Sequence, residues 1–235
     1  MPAPTLTALV SGGKDSIYAA YLAATQGWPI QELLVLAPSD PDSWMFHTPN
    51  LGLVDLQARA LGVPVRRVSV AAGDESTELE TLARALGEGG RGAVSVGAIA
   101  SSYQWTRVLR VADRVGRRIY APLWRVDPVR VVREEIAAGL DIRFVRVAAE
   151  GLGEEWLGRR LDGPALEALA TLGVRGPKVH PAGEGGEFET AVLDAPFFRE
   201  RIDIERAHVE RRGAAWTWTV DAAHLAPKAP PATPN

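Results

Sequence analysis

The residues with the clearest chemical potential form one short segment, Ser11-Gly12-Gly13-Lys14-Asp15-Ser16. An apolar run at 6–10 precedes it, and an amphipathic stretch at 16–26 follows. A strand, a glycine-rich loop and a helix in this order direct backbone N–H groups and a helix N-terminus at phosphate. The glycines allow close approach to an anion, and the lysine adds positive charge. The segment therefore predicts a phosphate-binding loop, and the alternative is an ordinary turn whose Asp15 or Ser16 caps the helix.

Three other segments are hard to explain by packing alone. Residues 97–104 begin after an apolar run, so their small side chains admit a ligand while Ser101 is placed to cap the next helix. Residues 183–190 set three glutamates among three glycines, and carboxylates of this kind hold Mg²⁺ or orient a nucleophile. The alternative there is a glycine-rich hairpin with solvated acids. Residues 43–50 carry Trp, Met and Phe beside His47. The segment predicts either a lid or wall that stacks on a nucleic base or a hydrophobic plug on the domain core.

Composition narrows the classes of protein. The chain has 235 residues, is 46% hydrophobic, carries a net charge of −3 and contains no cysteine. Thiol nucleophiles, disulfides, cysteine zinc sites and iron–sulfur ligation are therefore excluded within this sequence, as is a cysteine-dependent glutaminase. The four histidines lack metal-pair spacing, and no Gly-x-Ser-x-Gly elbow occurs. The charge gives no argument for nucleic acid, no apolar run reaches membrane-span length, and we expect a cytoplasmic protein.

The pattern of elements changes near the middle of the chain. Predicted strands at 6–10, 32–37, 65–70 and 93–96 alternate with predicted helices at 16–26, 52–61, 77–87 and 104–116. This alternation predicts a parallel α/β sheet over residues 1–119. Helices at 128–138 and 164–172, with strands at 142–147, 187–193, 201–211 and 215–220, predict a smaller α+β domain over 120–225. Four prolines in 226–235 predict a disordered tail.

Arginines recur at helical spacing within 104–118. Arg107, Arg110, Arg114 and either Arg117 or Arg118 fall on one helix face. The pattern indicates either a solvated face or a patch that binds an anionic partner or the phosphates held by the glycine-rich loop.

The hexapeptide at 11–16 has neither Walker A nor Rossmann spacing, and it resembles the PP-loop of ATP pyrophosphatases. Together with other segments in the same order, it resembles the diphthine–ammonia ligase family, which is also described as N-type ATP pyrophosphatases with an adenine-nucleotide α-hydrolase-like fold. The matching segments are S-G-G-K-D-S at 11–16, S-W-M-F-H-T-P-N at 43–50, G-A-I-A-S-S-Y-Q at 97–104, P-L-W at 122–124, H-P-A-G-E-G-G-E-F-E-T at 180–190 and V-L-D-A-P-F-F at 192–198. Trp105 departs from the family pattern, which often has a basic residue there.

The resemblance implies roles for individual residues. Contacts to ATP are expected from Ser11, Gly12, Gly13, Lys14, Asp15, Ser16, Gly97, Ala98 and Ser101. Catalytic roles are expected for Lys14, Asp15, Glu184, Glu187 and Glu189. Substrate contacts are expected from His47, Gln104 and Thr190, and Mg²⁺ ligation from Asp15 and Glu187.

The resemblance also implies an activity. A carboxylate would attack the α-phosphorus of ATP, pyrophosphate would leave, and ammonia would convert the acyl-adenylate to an amide. The implied partners are ATP, Mg²⁺, free ammonia and a carboxylate acceptor, such as a modified histidine on an elongation factor. A homo-oligomer is left open. The alternatives are the same chemistry on another acceptor and a nucleotide-binding protein without turnover.

Overall fold

A parallel sheet carries the glycine-rich loop. The computed structural model describes residues 5–38, 50–71, 75–89, 92–175 and 179–228. Within them five parallel strands pair in the order β3-β2-β1-β4-β5. The strands are β1 Leu6–Leu9, β2 Ile30–Pro38, β3 Val65–Val70, β4 Ala93–Ser95 and β5 Ile119–Tyr120. The connecting helices are α1 Lys14–Thr25, α2 Leu53–Leu61, α3 Glu75–Glu88 and α4 Ser102–Arg114.

A second, antiparallel sheet follows, with strand order β7-β6-β9-β8 among the described residues. Its elements are α5 Pro128–Ala137, β6 Asp141–Val147, a 3₁₀ turn at Glu154–Trp156, α6 Gly163–Arg175, β7 Phe188–Asp194, β8 Arg201–Arg212 and β9 Ala215–Ala226. Local chemistry starts α5, because the Asp127 side chain accepts a hydrogen bond from the Arg130 N–H, and Pro128 takes the first helical position. The two sheets confirm the predicted fold class.

The strand order places the loop at a crevice. β1 lies between β2 and β4, so the chain leaves β1 at the point where the direction of strand addition reverses. Open parallel sheets bind ligands beyond the carboxyl ends of their strands at such a point. One buried apolar cluster includes Ala8 and Val35 of the parallel sheet together with Ile142 and Phe144 of β6. The two sheets therefore share a core.

Several elements differ from the sequence-based expectation. β9 extends to Ala226, which pairs with Arg201, and Lys228 contacts Asp194, so the chain is ordered past the expected start of the tail. Residues 229–235 lie outside the described residues. The short strand β5 and the 3₁₀ turn carry too few residues for periodicity to reveal them. The domain division at 119/120 stays a prediction.

Three arginines of the predicted face are engaged within the fold, whereas Arg110 is exposed. Arg107 and Arg114 pair with Glu75 and Glu80 on the neighbouring helix α3. Arg117 is buried and donates hydrogen bonds to the Gly92 and Leu86 carbonyls. These cations therefore hold α3, α4 and the edge of the sheet together. In the described part of the chain, no helix has the length and apolar character needed to cross a membrane.

Candidate nucleotide site

Helix α2 packs closely against the loop between β1 and α1. Gly12 has a φ of +86°, and a Cβ there would lie 2.9 Å from Val54 Cγ2 on α2. Only glycine meets both demands without strain. Gly13 precedes α1 and offers no side-chain cap, so the Lys14 N–H donates to Thr190 Oγ1 of β7 at 3.2 Å. Thr190, expected to contact substrate, therefore lies directly at the glycine-rich loop.

The two serines of the loop hold its shape. Ser16 Oγ donates to the Gly13 carbonyl at 3.1 Å and accepts from the Ser11 N–H at 3.3 Å. Ser11 Oγ lies 3.4 Å from Ser16 Oγ and accepts from the Gly13 N–H at 3.4 Å. Ser16 is therefore engaged within the loop, whereas the Ser11 hydroxyl and Gly13 also line the cavity above it.

Lys14 is the most buried cation of the site, with 1% of its surface exposed. Its Nζ donates to both Asp15 carboxylate oxygens at 2.8 and 2.7 Å and to the Ala182 carbonyl at 2.8 Å. Burial alone would lower the pKa of the ammonium, but the negative charge of Asp15 and other nearby carboxylates outweighs burial and raises the pKa. Lys14 is therefore charged, and the chain holds it in place before any ligand binds.

Gln57 of α2 connects the glycine-rich loop to β7 of the second sheet, and the sequence analysis did not predict this contact. The side chain is fully buried on α2, and its Nε2 donates to the Gly12 carbonyl at 2.9 Å and the Val192 carbonyl at 2.8 Å. The Val192 N–H also donates to the Gly12 carbonyl at 3.0 Å. The sequence shows only an amide on the apolar face of an amphipathic helix, and this pattern does not identify a hydrogen-bond partner for it.

The three glutamates of the 183–190 segment do three different things. Glu184 Oε2 accepts hydrogen bonds from the Ala100 and Ser101 N–H groups at 2.8 and 2.9 Å. Glu187 accepts from the His180 and Gly185 N–H groups at 3.0 and 2.9 Å, so it stabilises the turn of its own segment. Glu189 differs from both, because its carboxylate forms an ion pair with Arg146 of β6 at 3.1 Å.

The β4–α4 connection meets the loop from the other side. A Cβ on Gly97 would lie 2.5 Å from the Ser16 nitrogen, so this glycine allows β4 to approach the first turn of α1. Ala98 is buried. Ser101 immediately precedes α4, and its N–H points to the Glu184 carboxylate. The structure thus brings Gly97 against the first turn of α1 and Ser101 against the 183–190 segment, whereas contact of Ala98 with a nucleotide stays a prediction.

A small cavity lies between these segments. Its volume is about 140 Å³, and its lining includes Ser11, Gly13 and Lys14 on one side and Gly183, Glu184 and Thr190 on the other. Pockets for whole cofactors usually measure about 300–1,000 Å³. The volume of this cavity therefore suits a phosphate group.

Two expected substrate residues stay predictions. His47 lies outside the described residues, as do its neighbours from 43 to 49. Gln104 falls within α4, but its side chain is outside the described part of the structure. Next to it, Trp105 stacks on Trp124 with ring centroids 4.7 Å apart, and the Arg125 guanidinium lies over Trp124. The tryptophan that departs from the family pattern thus packs against the P-L-W segment.

The expected Mg²⁺ ligands do not form a joint site. Both Asp15 oxygens accept from Lys14, and both Glu187 oxygens accept from backbone N–H groups of its own segment. Across the described residues, no group of three His, Asp or Glu side chains is arranged to hold a metal ion. In this arrangement each carboxylate oxygen of Asp15 and Glu187 already accepts a hydrogen bond, and Mg²⁺ ligation by these two residues stays a prediction.

A PP-loop-type α/β nucleotide-binding protein is the class that this sheet order, loop and buried lysine define. Comparison with family models gives the family itself. The model for the diphthamide synthase N-terminal domain matches residues 5–119, and the model for the C-terminal domain matches residues 127–225. The chain belongs to the diphthamide synthase family, whose curated relatives are named diphthine–ammonia ligase.

The relatives differ in length. The zebrafish (Danio rerio) ligase is 36% identical over 84% of this chain and 85% of its own length, and the human ligase is 33% identical over 87% and 84%. The Saccharomyces cerevisiae ligase is 36% identical over 84% of this chain. This chain spans about a third of that yeast protein and of its Schizosaccharomyces pombe counterpart, 34% and 35% respectively. A Methanocaldococcus jannaschii structure, described as a predicted tRNA methyltransferase subunit, aligns over 82% of this chain and 97% of its own at TM-score 0.45 and 14% identity.

Proposed function

We propose that this chain is an ATP-dependent, AMP-forming ligase that joins ammonia to a carboxylate, with diphthine on an elongation factor as the acceptor. The observation that carries the proposal is the buried, charged Lys14 at the start of α1. A buried ammonium is costly unless it serves an anion or a fixed partner. Here the glycine-rich loop, the helix N-terminus and the cavity all face the same place. The names of the relatives support the choice of reaction and acceptor.

The reaction has two balanced steps. In the first, an acceptor carboxylate oxygen bonds to the α-phosphorus of ATP, and the bond from that phosphorus to the α,β-bridging oxygen breaks, releasing pyrophosphate. In the second, the ammonia nitrogen bonds to the acyl carbon, and the carbon–oxygen bond to AMP breaks with its electron pair on AMP. Nitrogen loses one proton to solvent, leaving a neutral amide.

The chain contributes electrostatics and position. Lys14 supplies a fixed positive charge, and the N-terminal end of α1 adds the partial positive charge of the helix dipole. Both favour the negative charge that develops on the leaving pyrophosphate. The hydroxyls of Thr190 and Ser11 accept hydrogen bonds from the N–H groups of Lys14 and Gly13 in the loop. In the proposed complex, phosphate oxygens of ATP replace these hydroxyls as acceptors.

We propose that Mg²⁺ arrives on the ATP phosphates, since Mg²⁺ keeps several waters and binds mainly through substrate oxygens in many ATP sites. Free ammonia is the proposed nitrogen donor, because these 235 residues contain no cysteine for a cysteine-type glutaminase. We place the reaction in the cytoplasm, without a nucleic-acid partner. A homo-oligomer stays a prediction.

The test measures nucleotide products and ATP affinity. The chain is incubated with ATP, magnesium chloride, ammonium chloride and diphthine-bearing elongation factor, and nucleotides are resolved by chromatography. AMP and pyrophosphate are the expected products, and ADP with phosphate would contradict the proposal. Lys14→Ala should weaken ATP binding in calorimetry by about tenfold or more, the loss of one charge-assisted contact. Lys228→Ala, which removes a lysine that pairs with Asp194 instead, is the matched control.

A further inference from the structure

An arginine pairs with one wall of the cavity, and the proposed reaction gives it no role. Arg146 lies on β6, and its Nη1 donates to Glu189 Oε1 at 3.1 Å. Glu189 lines the cavity together with Lys14 and Thr190. The Arg146 side chain keeps 32% of its surface exposed, against 19% for the Glu189 side chain. Arg146 therefore lies beside the cavity and is open to solvent.

A β-bulge sets the position of Arg146. Phe144 of β6 pairs with Thr190 of β7. The next pair along the two strands is Arg146 with Glu189, so Val145 has no opposite residue on β7. Bulges re-aim side chains and recur next to active sites. Without this extra residue, Val145 instead of Arg146 would lie opposite Glu189. The backbone therefore directs a cation, and not a valine, at a carboxylate that lines the cavity.

The guanidinium of Arg146 is only partly used by this pair. A guanidinium offers five N–H groups in a planar fork, and its strongest contact with a carboxylate uses two of them in parallel. Arg143, also on β6, makes such a two-point contact with Asp141 at 2.9 and 3.1 Å. In the described part of the chain, Arg146 makes one hydrogen bond, from Nη1, and its Nε and Nη2 donate none. Arg146 thus keeps the capacity to bind a second anion.

The charges of the cavity indicate which anion this is. The proposed reaction brings a carboxylate towards the triphosphate, although both are negative. Among the described residues that line the cavity, Lys14 is the only cation, and it already donates to both oxygens of Asp15. Glu184 and Glu189 line the same cavity and repel another carboxylate. An incoming carboxylate therefore needs a cation on its own side of the site, and Arg146 is placed there.

We propose that Arg146 binds the carboxylate of the acceptor through the N–H groups that Glu189 leaves unused. The inference rests on the proposed function, because it states how that site recognises its acceptor. The ligand class is a carboxylate on a modified side chain of another protein. The product of the reaction carries a neutral amide in place of that carboxylate, and charge-assisted hydrogen bonds are the stronger ones. Arg146 thereby favours binding of the acceptor and release of the product.

The test compares the acceptor with its own product. The full chain is titrated in a calorimeter, without ATP, with elongation factor that carries diphthine and with the same factor after conversion to the amide. The ratio of the two Kd values is the preference for the carboxylate. Arg146→Met removes the cation, and Arg146→Lys keeps the charge without the planar fork.

Arg201→Met is the matched control. It removes another partly exposed arginine that pairs with a carboxylate by one hydrogen bond, here to Asp203 on β8. ATP affinity and the melting temperature are measured for every variant, because a residue that only supports the fold would change these and leave the preference for the carboxylate unchanged.

The wild type should prefer the carboxylate form by about tenfold or more, as expected for one charge-assisted contact. Arg146→Met should reduce this preference to within about twofold, and Arg146→Lys should keep at most about threefold. ATP affinity should stay within about threefold of the wild type, and Arg201→Met should match the wild type throughout.

Three results would overturn the inference and leave the proposed function intact. These are no preference in the wild type, a wild-type preference in either Arg146 variant, and a loss of ATP affinity as large as the loss of preference. Should Arg146→Met fail to fold, Arg146→Lys decides by the same limits. A wild type that forms no AMP from ATP with this acceptor and ammonium chloride would overturn both.

Discussion

Removing the charge of Glu184 should make ATP bind more tightly. This carboxylate accepts hydrogen bonds from the Ala100 and Ser101 N–H groups, just before α4. Its segment lines a cavity of about 140 Å³, smaller than the roughly 300 Å³ at which pockets for whole cofactors usually begin. We expect ATP to displace the segment, and each interaction that holds the segment in place then subtracts from ATP affinity.

The size of the effect follows from the two hydrogen bonds. A bond to a charged acceptor contributes about 1.5–3 kcal/mol and a neutral one about 0.5–1.5, so neutralising the acceptor removes about 1 kcal/mol per bond. Glu184 is partly exposed, and solvent screening reduces the total to about 1 kcal/mol. Glu184→Gln should then tighten ATP binding by about fivefold.

Calorimetric titration of ATP into the wild type and Glu184→Gln gives this number directly. Glu167→Gln is the control, because it removes an exposed glutamate from α6, away from the cavity. If Glu184 also contacts the acceptor, turnover falls even as ATP affinity rises. An unchanged or weaker affinity would refute the reasoning, because the carboxylate would then not be part of what closes the site.

Gln57 and Glu187 support the site, whereas His208 lies in an exposed charge cluster on β8 and β9. Gln57→Leu should lose about 1–3 kcal/mol of unfolding free energy in urea titrations, since two buried hydrogen bonds disappear, and it should weaken ATP binding because Gly12 loses its anchor. A stable variant with normal affinity would argue against the anchor. Glu187→Gln should lower the melting temperature by about 2–4 °C, because its carboxylate holds two N–H groups of its own turn, and a melting curve that does not move would contradict this. Hydrogen bonds to Asp221 and Glu210 raise the pKa of His208 above 6.5, so its pairing stabilises the fold below the unfolded-state value and is lost as pH rises through the folded-state pKa. The melting-temperature difference between wild type and His208→Gln should shrink between about pH 6 and about pH 9, and a difference that grows would contradict the assignment.

The first half of the fold was open to prediction because its signals are local. A short apolar run, paired glycines and a helical period identify β1, the loop and α1 within about twenty residues, and the same alternation repeats through β4. Boundaries were less accurate where pairing decides them. β9 runs to Ala226 because all of its residues except Asp221 pair with residues of β8, and nothing within the strand itself shows where β8 ends.

The supports of the candidate site escaped prediction for a different reason. Gln57 acts on residues 45 and 135 positions away, and no spacing rule connects them. Glu135 follows Glu134 in sequence, yet Glu135 is fully buried and Glu134 pairs with Arg130 at the surface. The helical period predicts which face of α5 is buried, but it does not explain an acid on that face.

The three glutamates at 184, 187 and 189 look equivalent in sequence and differ only in what lies opposite them. Glu184 reaches the β4–α4 connection, Glu187 turns back on its own segment, and Glu189 pairs with Arg146. The distinction arises because the segment enters β7, and β7 contacts the parallel sheet at the loop itself.

The two halves of the chain therefore form one site. The parallel sheet supplies the loop and Lys14, but the Lys14 side chain and backbone N–H bond to Ala182 and Thr190, which belong to the second half. Gly12 is likewise bonded by the Val192 N–H. Since these partners fix the lysine before ATP arrives, the first half alone would expose a charged side chain with fewer fixed contacts. The shared apolar core that joins the sheets thus holds the glycine-rich loop against its partners in the second half of the chain.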